Sequence, residues 1–162
     1  MRIAQTSWKT SIYVVAALAI GAMGGATYAK ESRRDYVMVT TGNAKFTPLD
    51  PSNPGGVQQA VLAGDPRTGP AAFFVKLPRG PAPLHWHSSD YYALTVEGNS
   101  KHWIPGKEGE AKSNPPGTFW FQPGGTAGQH GDECLSDSCT TFIFMPGKFD
   151  FTPIAQGQAT KK

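Results

Sequence analysis

Cysteine is scarce in this chain: two, Cys134 and Cys139, among 162 residues. That excludes a small domain stapled by several disulfides, and the length instead suits one domain with a hydrophobic core of its own. An excess of charge is also missing. The formal net charge of +3 falls to +1 once Arg2 and Lys9 of the leading segment are set aside, because the body from Lys30 onward then carries 13 basic against 12 acidic residues. No polyanion is implied as a partner, nucleic acid included. Long stretches free of Gly and Pro are missing too. With 19 Gly and 14 Pro in the chain, the longest in the body are Leu84 to Glu97 and Asp132 to Met145, and both hold aromatic and β-branched residues. Long amphipathic helices are thereby excluded. No glycine-rich turn joins a strand-like to a helix-like segment, which excludes phosphate-cradling chemistry, and no repeat occurs at solenoid spacing.

What is there begins with an export signal. After Arg2 and Lys9 the chain is uncharged from Thr10 to Ala29, most apolar from Ile12 to Met23, and ends in small residues before Lys30. This layout predicts a secretory signal over 1–29, cleaved after Ala29, and a periplasmic or secreted product. An uncleaved membrane anchor is the rival, but Gly21, Gly24, Gly25 and Thr27 dilute its apolar character, and only in that case would the protein contact a membrane. No cysteine near the exit invites a lipid, and no twin arginine marks the start. In an oxidising compartment Cys134 and Cys139 can close a loop around Leu-Ser-Asp-Ser. Two buried free thiols are the alternative reading, and metal ligation ranks third.

The body, 30–154, reads as a single all-β domain followed by a polar tail, 155–162. Short apolar runs between turn signals predict strands at Tyr36–Thr41, Val57–Ala63, Ala71–Leu77, Tyr91–Glu97, Lys101–Ile104, Thr118–Phe121 and Thr140–Met145, the pattern of a sandwich or barrel. Residues 48–56 form a surface loop and 64–70 a tight connection between paired strands. Alternation puts Tyr92, Leu94 and Val96 on one apolar face and Tyr91, Ala93, Thr95 and Glu97 on the other, which can line a cavity.

The four histidines, at 85, 87, 102 and 130, carry the chemistry. On an extended strand His85 and His87 project from one face, a spacing one metal ion can bridge, with Trp86 pointing the other way into the core. Taken alone, such a pair is more often a polar surface pair. The frame around it is Gly80-x4-His85-x-His87-x3-Tyr91-x6-Gly98, followed by Gly117-x5-Pro123-x-Gly125-x4-His130. It resembles the two linked motifs of the cupin family, with two departures. Tyr91 stands where those motifs carry a glutamate ligand, and His130 comes two residues late, after the insertion Thr126 to Gln129.

The resemblance runs from Thr41 to Pro153 and is similar to the DUF4437 or ChrR-like cupin type, through Ala60 to Pro66, Phe119 to Gly125, the late Cys-x4-Cys and Gly147 to Pro153. It implies a double-stranded β-helix, that is, a jelly-roll cupin barrel, holding one divalent metal ion, Fe(II) or Zn(II), on His85, His87 and His130. Tyr91 is then the catalytic candidate, donating a hydrogen bond to what the metal binds, although packing alone would also account for it. Asp90 is a turn residue or a partner of a histidine. His102 is an ordinary strand histidine, or a stand-in if the insertion carries His130 away. Trp103, Phe119, Trp120 and Phe121 read as packing, some of them lining a pocket.

Three neutral nitrogens leave a metal with open positions and much of its positive charge, which suits a chelating anion such as an enolate. Two functions follow. One is a metal-dependent, dioxygenase-like enzyme acting on a small carbonyl compound; the other is a non-catalytic module that binds or senses a metal or small ligand. A homodimer is a further expectation of the resemblance.

Overall fold

The computed structural model describes residues 36–154. The expected signal over 1–29 and the tail 155–162 lie outside the described residues. The strands are β1 (Thr47–Pro48), β2 (Gln58–Gly64), β3 (Ala71–Pro81), β4 (His85–Trp86), β5 (Tyr91–Glu97), β6 (Ser100–Trp103), β7 (Ser113–Asn114), β8 (Phe119–Gln122), β9 (Gly131–Met145) and β10 (Thr152–Pro153). Glu108–Glu110 and Thr126–Gly128 are single 3-10 turns, and no helix among the described residues is long and apolar enough to cross a membrane. The all-β reading holds. The expected strand at Tyr36–Thr41 does not form; Tyr36 and Met38 are 87% and 75% exposed and have no sheet against which to pack.

Strand β9 organises the sheet. The order is β1-β2-β3-β9-β5-β8, with β6 joining β9 to β7, a separate β4–β10 pair, and antiparallel ladders throughout these pairs. One edge of β9 pairs with β3 over nearly its whole length. The other pairs with β5 through Thr140–Phe144 and with β6 through Gly131–Cys134. The change of partner occurs at a looped-out segment. Five steps of extended strand would cover about 16 Å, yet the Cα atoms of Cys134 and Cys139 are 5.6 Å apart and their sulfurs are bonded. The two cysteines thus form the disulfide, not free thiols or metal ligands. Gly98 lies against this loop with φ +76°, and a Cβ there would meet the Ser138 carbonyl at 2.3 Å, so only glycine fits the crossing. Arg79 fastens the loop from β3, donating to the Leu135 carbonyl at 2.9 Å and to Asp137 at 2.8 Å.

The alternation on β5 appears as expected: Tyr91, Ala93 and Thr95 are buried, whereas Tyr92 and Leu94 are exposed. Tyr91 and Ala93 join Ala71, Phe73 and Val75 of β3 and Met145 of β9 in one apolar cluster. The more apolar face is the outer one, where Tyr92 and Leu94 sit opposite Phe121 and Phe119 on β8 and opposite Phe144 and Phe142 on β9. Phe119 and Phe121 therefore face outward, and neither lines a pocket.

The loop closed by the disulfide is short, so its contribution belongs at the low end of the usual range, about 2 kcal/mol. Replacing both cysteines by alanine should lower the urea midpoint by a corresponding amount, with the far-ultraviolet circular dichroism and the m-value unchanged. An unaltered midpoint would show that the looped segment is held by its hydrogen bonds alone.

Candidate metal centre

The segment leading to β4 contains Pro81 and Pro83, which have no backbone N–H to give and keep the chain extended. It delivers His85 and His87 to the barrel interior side by side, their ring centroids 4.9 Å apart. Trp86 projects from the opposite side and is half-buried rather than part of the core. His130 arrives from across the barrel through a pair of backbone hydrogen bonds with His85, at 3.0 and 2.9 Å. Its ring centroid is 4.2 Å from that of His85 and 5.4 Å from that of His87.

The two extra residues before His130 are absorbed by the 3-10 turn Thr126–Gly128. Gly125 N–H bonds the His87 carbonyl at 2.7 Å, and Gly128 N–H closes the turn on the Gly125 carbonyl at 2.9 Å. The turn needs glycine at 128, because a Cβ there would lie 1.8 Å from the Pro123 carbonyl oxygen. The insertion thus delivers His130 to the centre instead of carrying it away.

Each of the three rings is tied by Nδ1 to a backbone carbonyl: His85 to Pro83 at 2.8 Å, His130 to Gly128 at 2.8 Å, and His87 to Asp150. A carbonyl oxygen can only accept, so each Nδ1 carries the proton and each Nε2 presents a lone pair. Their ligating atoms lie within 4.8 Å of one another, a group that could hold a metal ion. Tyr91 faces the same point, and its hydroxyl donates to His130 Nε2 at 3.2 Å.

His102 does not stand in for any of them. Its Nδ1 lies 2.7 Å from Asp132 Oδ1 and its Nε2 lies 2.8 Å from Gln122 Oε1. The Gln122 amide is oriented by donating its Nε2–H to the Gly128 carbonyl at 2.6 Å. Asp90, exposed, accepts from Gly124 N–H at 2.7 Å and is the turn residue, not a histidine partner. Sequence reasoning missed Asp132 and Gln122. For Asp132 the signal was present: it is two residues past His130 and so shares its side of the strand.

The centre opens on a cavity of about 530 Å³ whose walls include Val57, Val75, Leu77, Trp120, Ile143 and Phe149. Leu49, Asp50 and Asn53 of the surface loop stand at its exposed side. Native interiors seldom leave such a volume unfilled, and its size suits a small ligand. The segment after β9 crosses the histidines. Phe151 stacks on His85 at 4.3 Å, Phe149 lies 5.4 Å from His87, and Asp150 accepts from Ser88 N–H at 2.8 Å and Ser88 Oγ at 2.6 Å.

In sequence the chain matches no family model and no curated protein. In structure it resembles an RmlC-like cupin from Ralstonia eutropha, with a TM-score of 0.58 and 16% identity over 76% of this chain and 75% of that one. The polyketide cyclase RemF from Streptomyces resistomycificus gives 0.58 and 18% over 77% and 89%. KdgF from a Halomonas species gives 0.51 and 25% over 68% and 94%. The chain has the cupin fold.

Within this cupin barrel the electrostatics keep the three imidazoles neutral. Burial pushes His85, His87 and His130 below their ordinary value, His130 to about 3, against the opposing pull of Asp132. For His102 burial acts in the same direction, but the hydrogen bond and charge of Asp132, with Gln122, outweigh it and raise the value. Burial works against the Asp132 carboxylate, yet the hydrogen bond and charge of His102 hold it well below the usual carboxylate range. Burial, reinforced by Asp132, raises the Tyr91 hydroxyl well above its ordinary value and keeps it a donor.

These directions set how the protein responds to acid when no metal is bound. Three imidazoles titrate lower in the folded than in the unfolded chain, so from about pH 6.5 downward the unfolded chain binds protons first and stability falls. His102 acts oppositely: its contribution is complete below about pH 6.5 and is lost as pH rises through its raised folded value. With three groups against one, the melting temperature of chelator-treated protein should fall between about pH 7 and pH 4.5. A flat or rising curve would contradict neutral, buried site histidines.

Proposed function

We propose that His85, His87 and His130 hold one divalent metal ion, Fe(II) or Zn(II), and that this cupin is an exported enzyme that uses it on a small, largely apolar carbonyl compound. The observation that carries the reading is the convergence of three protonless Nε2 atoms, with His85 and His87 in the wall of a mainly apolar cavity and His130 buried behind them. Neutral imidazole nitrogens suit either ion, and three of them leave coordination positions for a ligand. When bound, such an ion supplies Lewis acidity toward a carbonyl or enolate oxygen, and iron adds oxygen chemistry.

The chain's own residues do the rest. Tyr91 Oη, next to His130 Nε2, donates a hydrogen bond to the substrate oxygen and remains protonated while doing so. Val75, Leu77, Ile143 and Phe149 exclude water from the apolar part of the substrate. Neighbours described as a polyketide cyclase and a DMSP lyase are enzymes on this fold, which supports a reaction here as well. The ChrR-like grouping is part of the proposal and rests on the sequence motifs. So is export as one domain over 30–154 after loss of 1–29, which the disulfide supports. A homodimer belongs to it too, with the exposed Tyr92, Leu94, Phe119, Phe121 and Phe144 as the apolar surface that pairing would cover.

Protein purified without a polyhistidine tag should contain about one equivalent of Fe or Zn, and His85→Ala or His130→Ala should remove it. A metal-free wild type that takes up neither ion would contradict the reading. With the iron-loaded protein, diketone-type substrates should drive oxygen uptake. A loaded protein with no turnover on any small carbonyl compound would leave the binding module as the function.

Tyr91→Phe should retain the metal and lower kcat by about 10²-fold or more, the usual scale for a lost proton donor. An unchanged kcat would reduce Tyr91 to packing.

A further inference from the structure

A carboxylate faces two of the three histidines, and no motif accounts for it. His130 and Asp132 are two residues apart where the chain enters β9, so their side chains project to the same side. Asp132 Oδ2 lies 3.8 Å from His85 Nε2 and 3.9 Å from His130 Nε2. Both of those nitrogens are protonless, because each neutral ring carries its one proton on Nδ1, where it donates to a backbone carbonyl. At His85 an anionic oxygen therefore faces a lone pair with no proton between them, and the His130 lone pair is met only by the Tyr91 hydroxyl; a cation in the space would relieve the repulsion. Two donors bound at about 2.1 Å to one tetrahedral ion stand about 3.4 Å apart, so the separations of Asp132 Oδ2 from His85 and His130 would close by about half an ångström around an ion.

The other oxygen of Asp132 is already held. Oδ1 accepts from His102 Nδ1–H at 2.7 Å, and His102 Nε2–H donates to Gln122 Oε1 at 2.8 Å. With an acceptor at each nitrogen, His102 carries both ring protons and is a cation. It has no lone pair for a metal, which removes it from the second group of candidate donors, His102, His130 and Asp132. What it supplies is orientation and countercharge. Gln122 and His130 both donate to the Gly128 carbonyl, at 2.6 and 2.8 Å, so the network that aims Asp132 also aims His130.

We propose that Asp132, through Oδ2, is the fourth protein donor to the metal held by His85, His87 and His130, and that His102 is the positioning residue that steers it. The inference rests on the three-histidine reading above and changes its charge: the centre contains one carboxylate, with a cationic imidazole behind it.

The test uses Co(II) added to the metal-free full chain, with the affinity read by chelator competition and the ligand field by visible absorption. Asp132→Asn should bind at least about 100-fold more weakly and show an altered visible spectrum. His102→Gln should keep a wild-type spectrum with about tenfold weaker binding, as for other groups that orient a ligand. His85→Ala should not bind. Wild-type affinity and spectrum in Asp132→Asn, with binding abolished in His85→Ala, would overturn the role of Asp132 and leave the three histidines standing. No Co(II) binding by the wild type would overturn both readings. Because Asp132→Asn removes a buried charge and could fail to fold, the wild type labelled with carboxyl-13C aspartate provides a second measurement. Metal addition should shift an isotope-sensitive carboxylate stretch, and that shift should be smaller or displaced in His102→Gln. An unshifted band would overturn the proposal.

Discussion

Three backbone carbonyls decide what this barrel can do. Those of Pro83, Gly128 and Asp150 each accept a hydrogen bond from the Nδ1–H of one histidine, which fixes the proton there and leaves Nε2 without one. An imidazole in water exchanges tautomers freely; one anchored in this way presents a fixed lone pair in a fixed direction. Two of the anchors are local, since Pro83 and Gly128 each precede their histidine by two residues. The third is remote, because the Asp150 carbonyl comes from the segment after β9, the same segment that stacks Phe151 on His85. Orientation of the donors is thus built into the backbone path, and the proline-rich approach, the 3-10 turn and the final crossing segment are the elements that set it.

The long strand β9 connects this centre to the rest of the fold. Its first residues follow His130 directly and carry Asp132; its last residues, Thr141 and Ile143, line the cavity. Between them the strand changes partner from β6 to β5, and the disulfide and Gly98 accommodate the excess chain at that point. The outer face of the same sheet is covered with aromatic residues, whereas the interior around the histidines is left partly unfilled. Apolar surface has been kept on the outside where a well-packed monomer would ordinarily present polar groups.

Much of this was legible in the residues. Gly and Pro spacing excluded helices, and β5 falls at Tyr91–Glu97 as the run predicted, because alternation and turn signals agree there. That His85 and His87 share one side was legible from strand period, but the pair pointed to a site only together with the two-motif frame, which also named His130. Other features were not. The run Tyr36–Thr41 has strand composition but no partner, and pairing is a tertiary property that local pattern does not contain. Trp103, Phe119, Trp120 and Phe121 read as packing with some lining a pocket, and which of them do was not legible because hydrophobicity says nothing about which side of a sheet faces inward. His102 was ambiguous because its role is set by Gln122 and Asp132, which meet it only across strands. Asp132 could have been found by extending to His130 the period of two that revealed His85 and His87.

The anchoring of the rings can be observed without any metal or substrate. Long-range nitrogen–proton correlation spectra of the metal-free protein near neutral pH distinguish the two tautomers and the doubly protonated ring. The account requires the Nδ1–H tautomer for His85, His87 and His130, with a protonless Nε2 in each, and both nitrogens protonated in His102. Nε2–H tautomers or rapidly averaged signals at the three site histidines would contradict it, because no preformed set of lone pairs would then exist.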